Sequence, residues 1–434
     1  HMTEALSGDE MEGRDLGSPG YDRAAQLVAQ RFAKAGLKPA GDNGTWFQEV
    51  PLHEVAVTKA SFTLVRPDGS KAPLKFLHQI SIRPTQDSPA SLQAPLTFRG
   101  YCTAADLREV SGKIAVCFNT RRKGLTSSAQ RIAAAQAAGA AGIVQVDDPG
   151  FTIEPYRWPA AYARTITFAG TKPAPAIPAM TLSPDGFEAM IAGSGQSAAA
   201  ILKAGGEKQP LPAFDIPSRL DLALTLAQRD YSSKNILGVL PGHDPRLAAE
   251  HLVLSAHLDG YGYGEPVQGD GLYNGALDDA AYVALLVRLA ERQAATPWRR
   301  SVIFAAFTGE EKGLLGANWF VKHPTVPADS LVADLNLDQL RPLFPLKTLT
   351  ALAVDDTTLG QTARQVAASM DIEIRPDLEP ERGLLTRADH WPFMGIGVPA
   401  IGFIFGFDPG TEAEARYRRS EEHTSELQSL ACIS

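Results

Sequence analysis

The apolar residues of this chain follow two patterns, one typical of helices and one typical of short buried strands. Near the start, a predicted helix ends at Gly36 and has four apolar residues on one face: Ala24, Leu27, Val28 and Phe32. From about residue 230 onwards, apolar runs alternate with amphipathic segments; the runs are EHLVLSAHLDG, SVIFAAFTGEE, LVADLNLDQ and VPAIGFIFG. This alternation predicts an α/β fold with a mostly parallel central sheet and helices on both faces.

A second alternating block lies between residues 95 and 185. The segments APLTFRGYC, GKIAVCFN and AGIVQVDD predict strands, and SSAQRIAAAQAAGA predicts an alanine-rich helix at about residues 127–139. The block contains no cluster of His and Glu, so we expect a β-rich α/β unit without a catalytic role.

Bulk composition narrows the classes of protein to which the chain can belong. Its 434 residues are enough for two or three domains, and its formal charge of −8 argues against nucleic acid or an anionic membrane as the main partner. No apolar run reaches the length of a transmembrane helix. The start, His1-Met2, is typical of a cloning remnant, so we expect a removed signal peptide and a secreted or periplasmic protein.

The chain contains only three cysteines: Cys102, Cys117 and Cys432. This number is too small for a disulfide framework, and the spacing is not that of a zinc ribbon. We expect Cys102 and Cys117 to be two buried thiols in neighbouring strands, with a disulfide between them as the alternative.

Charged residues come at the points where the later predicted strands end. In chain order they are His257 and Asp259 in SAHLDGYG, Asp278 and Asp279 in NGALDDAA, Glu310 and Glu311 in FTGEEKGLLG, Asp338 in NLDQL, and Asp389 and His390 in RADHWPF. Each motif alone is common in structural roles. Because ligands bind beyond the carboxyl ends of parallel strands, their shared position predicts one site.

These residue types suit a metal centre. Imidazole and carboxylates without thiolate are typical of zinc, and less strongly of manganese or cobalt. A pair of divalent ions needs a bridging carboxylate, for which Asp278 at the start of the next predicted helix is the candidate. Of the adjacent Glu310 and Glu311, one can bind metal while the other acts as general base on the metal-bound water. Asp259, two residues along the strand from His257, can orient its imidazole.

Together the motifs resemble those of the bacterial dizinc aminopeptidases of metallopeptidase family M28, relatives of glutamate carboxypeptidase and transferrin receptor. The opening GDEMEGRDLGSPGYDRAAQLVAQRF is similar to the start of that family, and the resemblance extends to about Tyr417. It implies a catalytic domain at residues 3–55 and 228–418. The insertion at 56–227 would contain a protease-associated domain with its core at about 90–215.

The resemblance also implies a role for each residue. His257 and Asp338 would be terminal ligands, Asp278 the bridging ligand, Glu311 a further ligand and Glu310 the general base. Asp259 would be the partner of His257. Four other residues would lie behind the ligands or face the substrate: Asp279, Asp389, His390 and Tyr417. Most relatives have Asn at the position of Asp279, and Tyr417 resembles a tyrosine that stabilises the oxyanion. The implied reaction is the hydrolysis of N-terminal residues from peptides with two divalent ions, expected to be zinc.

One departure from the family pattern concerns its fifth ligand, a His directly after a Tyr. Here Arg418 follows Tyr417, and residues 419–434 resemble a translated sequencing adapter rather than native protein. We therefore expect a weak or empty second metal site and a catalytically impaired form as one alternative. His423, five residues further on, is a candidate replacement for the missing ligand.

Other functions on the same scaffold stay open. A carboxypeptidase or another amide hydrolase needs a cation for the substrate carboxylate, for which Arg382 and Arg387 are candidates. A glutaminyl cyclase uses one zinc ion and needs no bridging Asp278. A non-catalytic binding protein like the receptor relatives has lost its ligands, whereas this chain keeps four and the base.

Overall fold

A computed structural model describes residues 1–422 except 152–157, 159, 173–175, 268, 294, 297 and 339–343. The chain forms two compact units. Unit 1 comprises His1–Leu52 and Tyr231–Ser434, and unit 2 comprises His53–Asp230. Unit 1 is therefore discontinuous in sequence.

The helices of the described residues are α1 (Met2–Leu6), α2 (Pro19–Lys34), α3 (Ser128–Ala137), α4 (Pro184–Ile191), α5 (Ala198–Gly206), α6 (Ala281–Gln293), α7 (Leu315–Lys322), α8 (Thr358–Ala368), α9 (His390–Gly395) and α10 (Glu412–Glu422). The strands are β1 (Lys38–Pro39), β2 (Phe47–Val65), β3 (Lys71–Leu74), β4 (Ile80–Arg83), β5 (Ser91–Arg99), β6 (Ile114–Asn119), β7 (Gly142–Asp147), β8 (Arg164–Phe168), β9 (Ala179–Leu182), β10 (Ala213–Leu240), β11 (His251–His257), β12 (Gly262–Val267), β13 (Asp270–Tyr273), β14 (Ser301–Phe307), β15 (Leu331–Leu337), β16 (Thr348–Leu352), β17 (Glu373–Arg375) and β18 (Ala400–Phe405).

The sheet of unit 1 has the order β17, β16, β18, β15, β11, β14 and the end of β10. Strand β11 is parallel to both β14 and β15, and β15 is parallel to β18. The pairs β16–β18 and β10–β14 are antiparallel. The predicted mostly parallel sheet is confirmed.

Helices cover both faces of this sheet, as predicted. All seven residues of β14 are buried, and successive residues enter different cores. Phe304 packs in a core with α2 and α6, whereas Phe307 packs in another with Phe320 of α7 and Phe393 of α9. Because both faces are covered, the strand reads in the sequence as a continuous apolar run.

Unit 2 contains its own parallel strands. Strands β5, β6, β7 and β9 pair in parallel, and β4 pairs antiparallel with β9 at the edge. Their core includes Phe98, Val116, Val144 and Phe187. The predicted alanine-rich helix is α3, which begins after a capping box formed by Ser127 and Gln130.

The expectation of two free thiols in unit 2 is wrong, because Cys102 and Cys117 form a disulfide. Phe98 of β5 lies opposite Val116 of β6, so Cys102 lies past the end of that pairing. The chain turns back there, with positive φ at Gly100 and Cys102. The turn brings the two Cα atoms to 5.6 Å, which is within the range that a disulfide requires.

Within the described ranges, none of the helices combines the length and the apolar character needed to cross a bilayer.

Candidate metal centre

The carboxyl ends of β11, β14 and β15 lie side by side at one edge of the unit 1 sheet. His257 is the last residue of β11 and pairs with Phe307, the last residue of β14. Asp338 follows directly after β15, and Glu310 lies three residues after Phe307. The parallel arrangement therefore brings residues far apart in sequence to a common edge.

Two groups of side chains at this edge could each hold a cation. His257, Asp278 and Asp338 offer ligand atoms that all lie within 4.8 Å of one another. The same holds for His257, Glu310 and Glu311. All five residues predicted as ligands or base thus belong to one cluster.

The two ring nitrogens of His257 have different surroundings. The ring is buried, with Nε2 2.9 Å from Asp278 Oδ1 and 3.9 Å from Glu310 Oε2. Nδ1 lies 3.1 Å from the main-chain oxygen of Asp259 and 3.7 Å from its carboxylate. A proton on Nδ1 donated to this main-chain oxygen leaves Nε2 as the atom that faces the carboxylates.

Asp259 has a second function that the sequence did not indicate. Its carboxylate accepts hydrogen bonds from the main-chain N–H groups of Glu310, at 3.0 Å, and of Glu311, at 3.3 Å. The prediction that Asp259 shares a strand face with His257 is wrong, because β11 ends at His257. Asp259 instead lies in the following loop and connects it to the glutamate pair.

The Asp278–Asp279 pair precedes helix α6 rather than opening it. Residues Ala276–Ala280 form a π-helical turn, in which Asp278 has φ −127° and ψ 87°, and the helix begins at Ala281. The peptide bond between the two aspartates is cis. Asp279 is fully buried, and its Oδ2 accepts a hydrogen bond from the main-chain N–H of His257 at 3.1 Å. Asp278 points to the cluster, whereas Asp279 holds the end of β11.

Burial of so many carboxyl groups raises their pKa values. Burial raises the pKa of Glu310 well above its ordinary value, and the charges of Asp338, Glu311 and Asp389 add to this shift. The pKa of Glu311 is raised to about 8, first by burial and then by Asp278. Burial lowers the pKa of His257, but the surrounding carboxylates outweigh it and raise this pKa well above its ordinary value.

The raised pKa values bear on whether these residues could hold a metal ion. Carboxylates that are buried together can ionise only if nearby positive charges balance them, and His257 and the buried Arg14 supply at most two for the larger number of acids. Glu311 Oε1 is buried without a hydrogen-bond partner, while the same side chain bonds to Tyr261. A divalent cation would both balance the charge and use this oxygen, and a set of imidazole and carboxylate donors suits zinc. The residues present therefore fit the metal.

Tyr261 and Lys312 belong to the surroundings of the site, although neither residue type is typical of metal ligands. The Tyr261 side chain is hydrogen-bonded to Glu311, and the Lys312 ammonium lies 4.5 Å from the centre of the Tyr261 ring. In the sequence, only their positions, two residues after Asp259 and directly after Glu311, indicate that they lie near the site.

Asp389 and His390, predicted to lie near the site, are both fully buried at the start of α9. Burial raises the pKa of Asp389 well above its ordinary value, and the charges of Asp259 and Asp338 add to the shift. The carboxylate of Asp389 therefore lies within electrostatic range of the cluster. Burial lowers the pKa of His390 to about 4, so its imidazole is neutral at physiological pH.

Tyr417 lies in α10 and is buried, with its ring centre 4.9 Å from that of Phe407. The Arg418 side chain and His423 lie outside the described residues, as does the tail from residue 423 onwards. The predictions about the fifth ligand therefore stay predictions.

Comparisons with known proteins agree with this architecture. Residues 235–431 match Peptidase family M28, and residues 89–189 match the PA domain. The first match contains every residue of the cluster. The second lies within unit 2 and contains both disulfide cysteines.

Solved structures of similar fold cover nearly the whole chain. An aminopeptidase from Aneurinibacillus sp. strain AM-1 is 18% identical, with a TM-score of 0.64 over 94% of this chain and 84% of that chain. A zinc aminopeptidase from Bacillus subtilis is 20% identical, with a TM-score of 0.59 over 95% and 85%. At these identities the likeness establishes the fold.

Curated relatives match over shorter segments. The alkaline phosphatase isozyme conversion protein of Escherichia coli (strain K12) is 32% identical over 115 residues, which are 24% of this chain and 33% of that protein. A probable zinc metalloprotease of Pyrenophora tritici-repentis (strain Pt-1C-BFP) is 37% identical over 75 residues, 17% of each chain. The matched segments thus span a third or less of these relatives. Residues 235–431 are thus similar to Peptidase family M28 and residues 89–189 to the PA domain, and the chain shares its fold with the two solved aminopeptidases.

Proposed function

We propose that this protein is a zinc-dependent aminopeptidase that removes N-terminal residues from peptides. One observation carries the proposal: His257, Asp278 and Asp338 on one side, and His257, Glu310 and Glu311 on the other, each gather ligand atoms within 4.8 Å. Asp278 and Glu311 reach the cluster from different segments, which supports a site for two cations. His257 and Asp338 would be terminal ligands and Asp278 the shared ligand.

Glu310 is the proposed general base. Its carboxylate is mostly buried, with Oε2 3.9 Å from His257 Nε2, and Asp259 holds its main-chain N–H. When bound, zinc supplies a Lewis acid that polarises the scissile carbonyl and acidifies water. Glu310 would take a proton from the attacking water at its carboxylate and deliver it to the leaving amine. Burial raises the pKa of Glu310 in the metal-free protein, and a bound cation would lower this pKa again, so that the ionised carboxylate could accept the proton.

The direction of cleavage is proposed from the two solved neighbours, which are aminopeptidases. A carboxypeptidase would need a free cation for the substrate carboxylate. Of the two candidate arginines, Arg382 pairs with Glu379 at 3.4 Å, and Arg387 is exposed two residues before Asp389. Arg387 is therefore the residue on which that second function would depend.

We also propose a secreted or periplasmic location and a weak second metal site. The Cys102–Cys117 disulfide supports the location, because such bonds persist in oxidising compartments. The weak second site rests on the sequence alone, in which Arg418 follows Tyr417. Replacing Arg418 by His is expected to raise the second zinc stoichiometry and the activity.

The proposal is tested by zinc analysis and by assays of the purified protein. We expect bound zinc and hydrolysis of aminoacyl-p-nitroanilides, with no release from substrates blocked at the N-terminus. Glu310→Gln should keep its zinc but lose about 10²–10⁴-fold in kcat, because the base is removed while the ligands remain. The matched control is Glu291→Gln in α6, which pairs with Arg288 on the surface. Absence of zinc, or full activity in Glu310→Gln, would overturn the proposal; cleavage of C-terminal dipeptide substrates alone would favour a carboxypeptidase.

A further inference from the structure

Arg14 is a fully buried arginine whose hydrogen bonds join three separate segments of unit 1. All four bonds go to main-chain carbonyl oxygens: Nε to Leu258 at 2.7 Å, Nη1 to Leu6 at 2.7 Å and to Asn274 at 2.8 Å, and Nη2 to Gly275 at 2.8 Å. Two of these segments lie more than 240 residues away in sequence. The planar guanidinium is suited to this task, because its donors point in fixed directions.

The segments that Arg14 joins carry the metal site. Leu258 lies between His257 and Asp259, and Asn274–Gly275 lie directly before the turn that contains Asp278. By holding both carbonyl groups, the guanidinium fixes the loop after β11 against the loop that leads to α6. This is the spacing that places His257 Nε2 2.9 Å from Asp278 Oδ1.

The local backbone is shaped around the guanidinium. A Cβ atom at Gly275, where φ is +59°, would lie 2.6 Å from Arg14 Nη2 and 2.6 Å from the carbonyl oxygen of Asp278. A Cβ atom at Gly13, where φ is +60°, would lie 2.4 Å from the carbonyl oxygen of Tyr273. Both glycines therefore permit a close approach that side chains would prevent.

Arg14 also brings a permanent charge close to the carboxylates. Burial lowers its pKa to about 10, which still leaves the guanidinium cationic at neutral pH, and Asp279, Asp259, Asp278 and Glu311 favour that charge. Its four hydrogen bonds all go to carbonyl oxygens, so within the described residues it does not neutralise any single carboxylate by direct pairing. Its charge instead reduces the cost of bringing the carboxylates together.

We propose that Arg14 is a positioning residue that assembles the zinc site before the metal binds, by fixing the His257 loop against the Asp278 loop. The inference rests on the proposed zinc site and extends it to a residue that touches neither metal nor substrate. It predicts that the shape of the guanidinium, and not only its charge, sets the affinity for zinc.

The test compares Arg14→Lys with a matched control, Arg131→Lys. Arg131 in unit 2 is equally buried, has a pKa likewise lowered to about 10 by burial, and bonds to Gln145, Thr126 and Asn119. Zinc affinity is measured on metal-free protein by competition with a chromophoric chelator, and folding is followed by circular dichroism. Lysine keeps the charge but cannot hold all four carbonyl groups, so we expect zinc binding to weaken about 10–100-fold in Arg14→Lys. Arg131→Lys should lower thermal stability and leave the zinc affinity unchanged.

The other possible results of this experiment lead to different conclusions. If Arg14→Lys does not fold, Arg14→Gln takes its place with the same expected loss. Zinc affinity equal to that of the parent in a folded Arg14 variant would overturn the inference while the proposed function stands. Failure of both variants to fold in the presence of zinc would overturn it too, because Arg14 would then serve unit 1 as a whole. If the parent protein binds no zinc, the proposed function itself fails.

Discussion

Both units place acidic residues at the carboxyl ends of parallel strands, but they balance the charge differently. In unit 2, Asp148 follows β7 and is bonded to Arg122 at 2.8 Å and to Thr120 at 2.7 Å. In unit 1, Glu310 and Asp338 lie beyond the ends of β14 and β15, and each belongs to a group of possible metal ligands that includes His257. An acidic strand end is thus compatible with either role. Asp148 is paired directly with a guanidinium, whereas the hydrogen bonds of Arg14 in unit 1 go to carbonyl oxygens and not to the carboxylates of the candidate metal site.

Removal of one acid from each unit should have the largest effect and should affect the two units differently. Asp278→Ala should weaken zinc binding by more than about a hundredfold and abolish peptidase activity, because it removes a ligand rather than an outer partner. Asp148→Ala should leave the zinc affinity as it is and lower the stability of the protein, because Arg122 loses its partner. Isothermal titration with zinc and chemical denaturation measure the two effects. Equal zinc affinities in the two variants would show that the clusters do not differ in this way.

A second prediction concerns the pH dependence of zinc binding. The pKa of Glu311 without metal is about 8, so below that pH zinc must displace a proton from this carboxyl group. The apparent affinity should therefore rise as the pH increases from 6 to 8, by about tenfold per unit for each proton displaced. Titrations in buffers of different ionisation enthalpy count the released protons. An affinity that falls with increasing pH over this range would contradict the charge balance described for unit 1.

The smallest effect is expected in unit 2, at Asp147, the partly buried last residue of β7. Burial raises the pKa of Asp147 to about 6, above its value in the unfolded chain, so folding favours the protonated form. The stability that this group contributes is present below about pH 4 and is lost as the pH rises through 6. Asp147→Asn should therefore be more stable than the parent above pH 6 and equal to it near pH 4. The rise of this pKa from its ordinary value to about 6 corresponds to about 3 kcal/mol, which partial exposure of the side chain reduces to about 1–2 kcal/mol.

Denaturant unfolding at the two pH values measures this difference. Asn119 donates to Asp147 Oδ1 at 3.0 Å, and the amide oxygen of the variant can accept the same bond. The contrasting control is Asp68→Asn, since bonds from Ser70 lower the pKa of this exposed aspartate and predict a change of opposite sign. Lower stability of Asp147→Asn at both pH values would mean that the carboxylate is needed in its charged form.

The sequence predicted the features that depend on local pattern. Apolar runs identified β11, β14, β15 and β18, and the charged residues behind them identified the cluster. Features set by long-range contact were missed. Asp259 was predicted to lie beside His257, but not to hold the amides of Glu310 and Glu311.

The other differences have similar causes. The disulfide depends on a turn with positive φ at a non-glycine residue, Cys102, which spacing does not reveal. Helix α6 begins only at Ala281, because Asp278 and Asp279 do not have helical φ and ψ angles. Arg14 had no sequence signal at all, since its partners are carbonyl groups, which every residue has.

The division of unit 1 into two sequence segments has a consequence for biosynthesis. Helix α2 buries Val28 and Phe32 against strands that follow Asp230, and unit 2, about 180 residues long, is made in between. At about 5–20 residues per second, the ribosome spends roughly 10–40 seconds on that stretch. During this interval the first fifty residues, with Arg14 among them, have no sheet on which to pack. The inserted unit can complete its own core first, and the metal site is among the last parts of the protein to form.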